Sequence, residues 1–404
     1  GLKEKTEYKV KDIVKIQNEI KLTKENIELA KLMAKRYFCN ISDCIKLMLP
    51  PGTISKNIEN RIKDKKQRFV YLKKDIEEIE QDIESKIIKS EKQKRVLNFL
   101  IQNDGIQTTD LEVITDTTSA ILKTLQNKEY IEIIEQEVER NPFINKNIER
   151  TNKLKLTPEQ KEAFEKIEKE IKEENYKEFL LYGVTGSGKT EIYLQAIEEV
   201  LKKGKTAIVL VPEISLTPQM VDRFISRFGQ EDIAVLHSKL SVGERYDQWK
   251  KIKKGECKIV IGARSAIFAP INNLGLIIID EEHDSSYKSE TNPRYNAKEL
   301  AGYIAKQNSI PLILGSATPD VCTYYKAKNN NIELLELTKR ANNSKLPVVE
   351  TVDLRMELAN GNKSILSEKL YNEIEKNLLD KKQTILFLNR RGYSTFVMCR
   401  DCGY

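Results

Sequence analysis

The sequence predicts an α/β chain whose larger part is a parallel sheet covered on both faces. Apolar runs recur after Asn141-Pro142 as FLLYGV (179–184), TAIVLVP (206–212), IAVLH (233–237), KIVIGA (258–263), LGLIIID (274–280) and PLILGSA (311–317). Helical stretches separate most of them. The runs are near-continuously apolar rather than alternating, as in strands buried on both faces. At 404 residues the chain is also too long for one ordinary domain, so the sheet should have neighbours.

In chain order, residues 24–38 place Ile27, Ala30, Leu32, Ala34 and Phe38 at mostly helical spacing, and LPPGT (49–53) then breaks the chain. Residues 1–53 therefore read as the C-terminal remnant of a small N-terminal domain. In 54–90, Phe69, Leu72, Ile76, Ile79, Ile83 and Ile87 step by three or four, and a helical connector is the preferred reading. RFVYL (68–72) is alternatively a strand.

Residues 91–145 predict helices at Arg95–Gln102, after Thr108 and at Thr117–Lys128, then an alternating strand, YIEIIEQEVE (130–139). That is the order of a winged helix. Such a fold reads DNA or docks protein, and both readings stay open. Only Lys123 and Lys128 give its third helix charge, a poor footprint for DNA. Residues 146–340 form the predicted sheet lobe. A second lobe is expected over 341–404, with TILFLNR (384–390) as a strand.

Composition excludes several classes. Hydrophobic residues make up 40% and charged residues 32%, which supports packed cores. No run of about 18 apolar residues is present, so no membrane span and no membrane partner is predicted. The opening GLKEKTEYKV is charged at once and carries no signal pattern. With no initiator Met and an abrupt end at Cys402-Gly403-Tyr404, the chain is expected to be a piece of a longer one. Residues 1–95 hold 24 Lys/Arg against 16 Asp/Glu, and the remaining 309 hold 44 against 45. A basic N-terminal region favours a polyanion only weakly. Six cysteines make no disulfide framework: Cys257 and Cys322 are expected in the core, and Cys39 and Cys44 flank a turn. Cys399 and Cys402, in C-R-D-C, have metal-ligand spacing.

The chemistry-bearing residues lie at the ends of the apolar runs. Gly183-Val184-Thr185-Gly186-Ser187-Gly188-Lys189-Thr190 matches G-x-x-x-x-G-K-[ST], between a strand and a helix. Its backbone N–H groups can cradle phosphates, Lys189 can reach the β/γ-phosphates, and Thr190 can bind Mg²⁺. Asp280-Glu281-Glu282-His283 ends LGLIIID, at the edge that faces the ligand crevice of a parallel sheet. There Asp280 can share the Mg²⁺ and Glu281 can activate water. His283, beside these carboxylates, suits coupling of ATP to motion. Ser316 and Thr318, in GSATP, offer two hydroxyls that can sense the γ-phosphate.

GSGKT, DEEH and SAT in this order identify a superfamily 2 helicase or translocase with a RecA-like lobe. LTPEQ (156–160) resembles the glutamine motif, which places Gln160 at the adenine. LVPEISLTPQM (210–220), IGARSAIFAP (261–270), DEEHDSSYK (280–288), PRYNAKELA (293–301) and FLNRRGYS (387–394) narrow the resemblance. They are similar to the PriA family of primosomal replication-restart DNA helicases, the primosomal N′ proteins. Asn296 departs from that pattern, where a histidine is expected.

The resemblance implies an ATP-dependent DNA helicase acting at stalled or branched forks, with single-stranded and forked DNA as partners. Other primosome proteins and single-strand-binding protein follow as partners, and a bacterial cytoplasmic, nucleoid-associated location follows too. It also implies DNA contacts at Arg264 and the Ile214–Gln219 loop, and a DNA-sensing loop at 284–298 carrying Tyr287, Arg294 and Tyr295. Aromatic rings there can stack on unpaired bases. Cys399 and Cys402 would be two of four zinc ligands. Arg390 and Arg391 lie too early to be taken as the arginine that the second lobe of a helicase supplies. Two rival readings are another superfamily 2 translocase, such as a fork-regressing helicase, and a non-catalytic DNA-binding scaffold.

Overall fold

Residues 22–53, 66–137, 149–341 and 347–387 are described by the structure, a computed structural model. The chain divides into two compact units at Asn343/Ser344. No helix among the described residues is long and apolar enough to cross a membrane.

The described part of the N-terminal segment, 22–53, holds two helices, α1 (Lys24–Arg36) and α2 (Ile41–Lys46). Thr23 and Asn26 cap α1 reciprocally, satisfying two backbone donors at its start. Helix α1 ends before Phe38, which turns outward with φ 50° and 95% exposure, contrary to the predicted apolar stripe. Leu29, Ala30, Met33, Cys44 and Met48 are buried in one cluster with Tyr295, Leu300 and Ala301 of the larger lobe. The segment is thus packed on that lobe.

Next come β1 (Lys66–Leu72), α3 (Ile76–Glu84), α4 (Glu91–Gln102), β2 (Ile106–Gln107), α5 (Thr108–Thr115), α6 (Ser119–Asn127) and β3 (Ile131–Glu137). The three strands form an antiparallel sheet ordered β2-β1-β3, with Val70 opposite both Ile106 and Ile133. In its described part, 66–90, the helical connector expected over 54–90 is therefore a strand followed by the helix α3, and residues 54–65 lie outside the described residues. RFVYL is a strand because Val70 is buried between two strand partners, so a period of two prevails over the stripe of three and four. Val70, Ile79 and Ile88 share a core with Val96, Leu97, Leu100, Leu111, Leu122 and Leu125. This unit begins at β1, and α4, α5, α6 and β3 follow in the order that the sequence predicts.

The main lobe runs α7 (Pro158–Glu173), β4 (Glu178–Gly183), α8 (Lys189–Lys202), β5 (Thr206–Leu210), α9 (Pro218–Phe228), β6 (Ile233–Leu236), α10 (Val242–Lys254), β7 (Ile259–Gly262), β8 (Leu274–Ile279), α11 (Ala297–Gln307), β9 (Leu312–Ser316), α12 (Val321–Lys328) and β10 (Glu333–Leu337). All seven strands are parallel, ordered β10-β4-β9-β8-β5-β7-β6. Ile167, Ile197 and Phe224, from α7, α8 and α9, pack on one face. Ile252, Leu300 and Ala327, from α10, α11 and α12, pack on the other. Apart from the edge strand β10, where Glu336 is exposed, the strands are buried on both sides, which is why the runs read as continuously apolar. Strands β4, β9 and β8 are neighbours, so the segments that follow them lie side by side at one sheet edge.

Two outward backbone groups of the outer strand β6 are covered by side chains. Val235 N–H donates to Gln248 Oε1 at 3.1 Å, and Lys251 Nζ donates to Ile233 O at 3.1 Å, both from α10.

In the second unit the described part holds α13 (Leu354–Ala359) and α14 (Glu368–Leu379), the latter capped by Ser367. The predicted strand 384–390 is not formed over its described part: 384–387 is irregular, and Ile385 and Phe387 are 94% and 87% exposed. Arg390, Arg391, Cys399 and Cys402 lie outside the described residues. Cys257 is buried as expected, whereas Cys322 is exposed at the start of α12.

Candidate functional site

The turn after β4 is shaped by its glycines. Gly186 and Gly188 have φ of 81° and 82°, a left-handed backbone that glycine adopts without a Cβ clash. Ser187 N–H closes the turn on Val184 O at 2.9 Å. Lys189 opens α8, and its buried Nζ donates to Gly183 O at 2.9 Å. Ser187 Oγ is buried with no hydrogen-bond partner, an acceptor and donor aimed into the loop. These features fit a phosphate group.

The turn borders a cavity of about 520 Å³, which Thr185–Glu191 share with Asp280 and Glu281 from the end of β8. The two halves predicted from sequence therefore face one cleft, and Thr190 and Asp280 both line it. Asp280 Oδ1 accepts from Tyr193 Oη at 2.9 Å, and its backbone N–H donates to Leu210 O at 2.9 Å. Burial raises the Asp280 carboxyl pKa, against the opposing pull of the Tyr193 hydroxyl and the Lys189 charge. Burial also raises that of Glu281, with the Asp280 charge acting in the same direction. Glu281 has φ 46°, which turns the chain off the strand and leaves its side chain 36% exposed toward the cavity. Gly315 on β9 leaves the space that Tyr193 Oη and Asp280 Oδ1 occupy.

His283 joins the acidic run to the segment after β9. Its Nδ1 lies 2.8 Å from Ser316 Oγ and 3.6 Å from Glu281 Oε2, and its Nε2 lies 3.4 Å from Thr318 Oγ1. The predicted coupling residues are therefore in contact with one another.

Gln160 sits behind the phosphate turn. Its Nε2 donates to Ser187 O at 2.7 Å and its Oε1 accepts from Thr157 N–H at 2.8 Å, so both ends of the amide are occupied by chain groups.

The 284–298 loop differs most from expectation. Tyr287 is 1% exposed, with its hydroxyl donating to Leu210 O at 3.1 Å and Asp280 O at 2.5 Å. Tyr295 is 3% exposed and meets Phe268 edge-to-face at 5.0 Å. Neither ring has a free face, so the expected base stacking by Tyr287 and Tyr295 is corrected to a core role. Arg264 Nη1 donates to Ser286 O and Lys288 O at 3.1 and 2.9 Å, strapping the loop to the end of β7. Arg294 is exposed on the loop, and Ile214 is 77% exposed beyond β5.

Several contributors have no sequence signal. Tyr193 lies on α8, one turn past Lys189, in a stripe that reads only as core. Arg227 on α9 has a side chain 6% exposed and bridges Glu191 and Glu198 at 2.9 and 2.7 Å. Glu191 also accepts from Leu154 N–H, fixing a wall of the cavity. Glu282 is fully buried and faces away from its acidic neighbours, accepting from Lys298 Nζ (2.7 Å), Asp320 N–H (2.7 Å) and Thr323 Oγ1 (3.0 Å). Among the described residues no cluster of three or more His, Cys, Asp or Glu forms a metal site of its own.

Residues 153–321 match the family model described as type III restriction enzyme, res subunit, and residues 1–50 match a 3′ DNA-binding domain model named for PriA. The chain is 50% identical over 354 residues to the replication restart protein PriA of Bacillus subtilis (strain 168), covering 87% of this chain and 44% of that protein. It is 38% identical over 395 residues to the protein of the same name from Chlamydia muridarum (strain MoPn / Nigg), covering 95% and 50%. The chain thus spans about half the length of these relatives or less. A solved structure of RecG bound to a three-way DNA junction matches 48% of this chain and 24% of that one, with 25% identity and a TM-score of 0.36.

Proposed function

The chain belongs to the PriA family of replication restart proteins, and from that premise we propose that it carries the ATP-binding lobe of a DNA helicase. The observation that supports this reading best is the shared cleft of Lys189, Thr190, Asp280 and Glu281, joined through His283 to Ser316 and Thr318.

In this reading ATP places its phosphates against the turn 183–190, and Lys189 exchanges its bond to the Gly183 carbonyl for the β/γ-phosphates. Thr190 and Asp280 would hold Mg²⁺, which supplies charge neutralisation at the phosphates. Glu281 accepts a proton from the attacking water as the water oxygen bonds to the γ-phosphorus. The bond to the β–γ bridging oxygen breaks, and ADP leaves with that electron pair. His283 reports the change to Ser316 and Thr318. The full-length protein would use this cycle to move on single-stranded DNA at stalled or branched forks and expose template for restart. DNA contacts are assigned to Arg264, Arg294 and the Ile214–Gln219 loop. Primosome proteins and single-strand-binding protein as partners, and a cytoplasmic location, belong to the same proposal. Zinc at Cys399 and Cys402 belongs to the same proposal and is supported by the C-R-D-C spacing and the family resemblance.

Substitution of Lys189 by Ala tests the reading. Titration with a fluorescent ATP analogue should show at least tenfold weaker binding, about 1.4 kcal/mol, with little change in folding stability. Equal affinity for both proteins would remove the basis of the proposal.

A further inference from the structure

The first turn of α11 touches two different parts of the molecule through consecutive residues. Lys298 points to the nucleotide side: its Nζ is 2.7 Å from Glu282 Oε2 and 3.4 Å from Asp320 Oδ2. Glu282 follows Asp280 and Glu281 directly, and its backbone N–H donates to Gly315 O on β9 at 3.0 Å. Asp320, which also donates its N–H to Glu282, lies two residues after Thr318. One buried carboxylate therefore ties together the ends of β8 and β9 and the starts of α11 and α12.

Glu299 points to the N-terminal segment. It accepts from Arg36 Nη2 and Tyr37 Oη, each at 3.0 Å. The Tyr37 oxygen in turn accepts the Asn296 backbone N–H at 3.3 Å, and Asn292 Nδ2 donates to Asp43 Oδ2 at 3.2 Å. Burial pushes the Tyr37 phenol up to about 12, so it stays a neutral donor to Glu299. On either side of this pair, Ala297, Leu300 and Ala301 anchor the first turn of α11 in the core, so neither contact shifts without the other.

We propose that Lys298 and Glu299 are a positioning relay that carries the DNA-bound state of the N-terminal segment to the segments bearing Glu281, His283 and Thr318. The proposal rests on the helicase reading above for what the relay serves. The segment in contact with Glu299 is the one matched by a 3′ DNA-binding domain model, which is why DNA is assigned as the input. Both residues act through others, and neither lines the cavity that Lys189, Thr190, Asp280 and Glu281 share.

The test is amide hydrogen exchange on the full-length protein with and without a duplex carrying a 3′ single-stranded tail. In wild type, DNA should change exchange at least twofold in residues 282–288 and 316–320. Glu299→Gln removes a surface contact and should fold normally. It should bind the DNA within twofold of wild type and lose that change, while basal ATP hydrolysis and nucleotide affinity stay level. Lys298→Met should lose the same response from the other side. Retention of the response in Glu299→Gln, or its absence from wild type, would overturn the relay. Failure of the helicase reading is distinguishable: the exchange response would be present in wild type and lost in Glu299→Gln, but no DNA would stimulate hydrolysis.

Discussion

Replacing Tyr287 by Phe keeps the ring and deletes a single hydroxyl, which separates a core role from a DNA-stacking one. That hydroxyl donates to the carbonyls of Leu210 and Asp280. Leu210 O retains the Asp280 N–H as a partner, whereas Asp280 O loses this donor. A buried carbonyl deprived of its donor costs about 1–3 kcal/mol. With a urea dependence of about 2 kcal/mol/M, a loss of about 2 kcal/mol moves the midpoint by about 1 M. Trp249 is the only tryptophan and lies on α10 of the main lobe, so its fluorescence follows that lobe. The expected result is a lower midpoint for Tyr287→Phe with DNA affinity unchanged. Truncation to Ala opens a cavity and should cost more, about 3–5 kcal/mol. A stacking ring would behave in the opposite way: Phe would be silent, and Ala would lose about 1–3 kcal/mol of DNA binding. An unchanged midpoint for Phe, together with weakened DNA binding for Ala, would refute the core assignment.

Glu281→Gln should abolish ATP turnover in the full-length protein while a fluorescent analogue still binds; residual turnover above a tenth of wild type would exclude Glu281 as the base. Because burial and the Asp280 charge raise the Glu281 pKa, turnover should already fall on acidification at a pH where an ordinary glutamate stays ionised. Arg227→Met leaves Glu191 and Glu198 without their shared cation, and should destabilise the lobe by about 3–5 kcal/mol. An unaltered melting temperature would show that the bridge is dispensable.

The nucleotide turn was legible because its chemistry is local: eight consecutive residues set both the glycine backbone and the lysine that opens α8. The strand order was not written there, yet the apolar runs gave each strand because every one is buried on both faces. Strand β10, ELLEL, escaped because it sits at the sheet edge, where Glu333 and Glu336 interrupt its apolar run and Glu336 is exposed. RFVYL was ambiguous because its stripe fits a helix until Val70 finds partners on β3, more than 60 residues away. The acidic run shows the limit most clearly. Asp280, Glu281 and Glu282 are alike on the page, but a left-handed turn at Glu281 sends Glu282 inward to Lys298. Ring direction is equally hidden: Tyr287 and Tyr295 look like free faces in the sequence and are core residues in space.

The covered edge of β6 has a consequence for self-association. A parallel sheet that ends in an apolar strand offers its unpaired N–H and C=O groups as a template on which another chain can add a strand. Here Gln248 occupies the Val235 N–H and Lys251 the Ile233 carbonyl, two of the groups a neighbour would pair with. Helix α10 thus acts as a plug on this edge of the sheet, against strand addition by another copy of the lobe. The protection lasts as long as α10 stays folded, so the first species to aggregate on heating should be one in which that helix has peeled away while the strands remain.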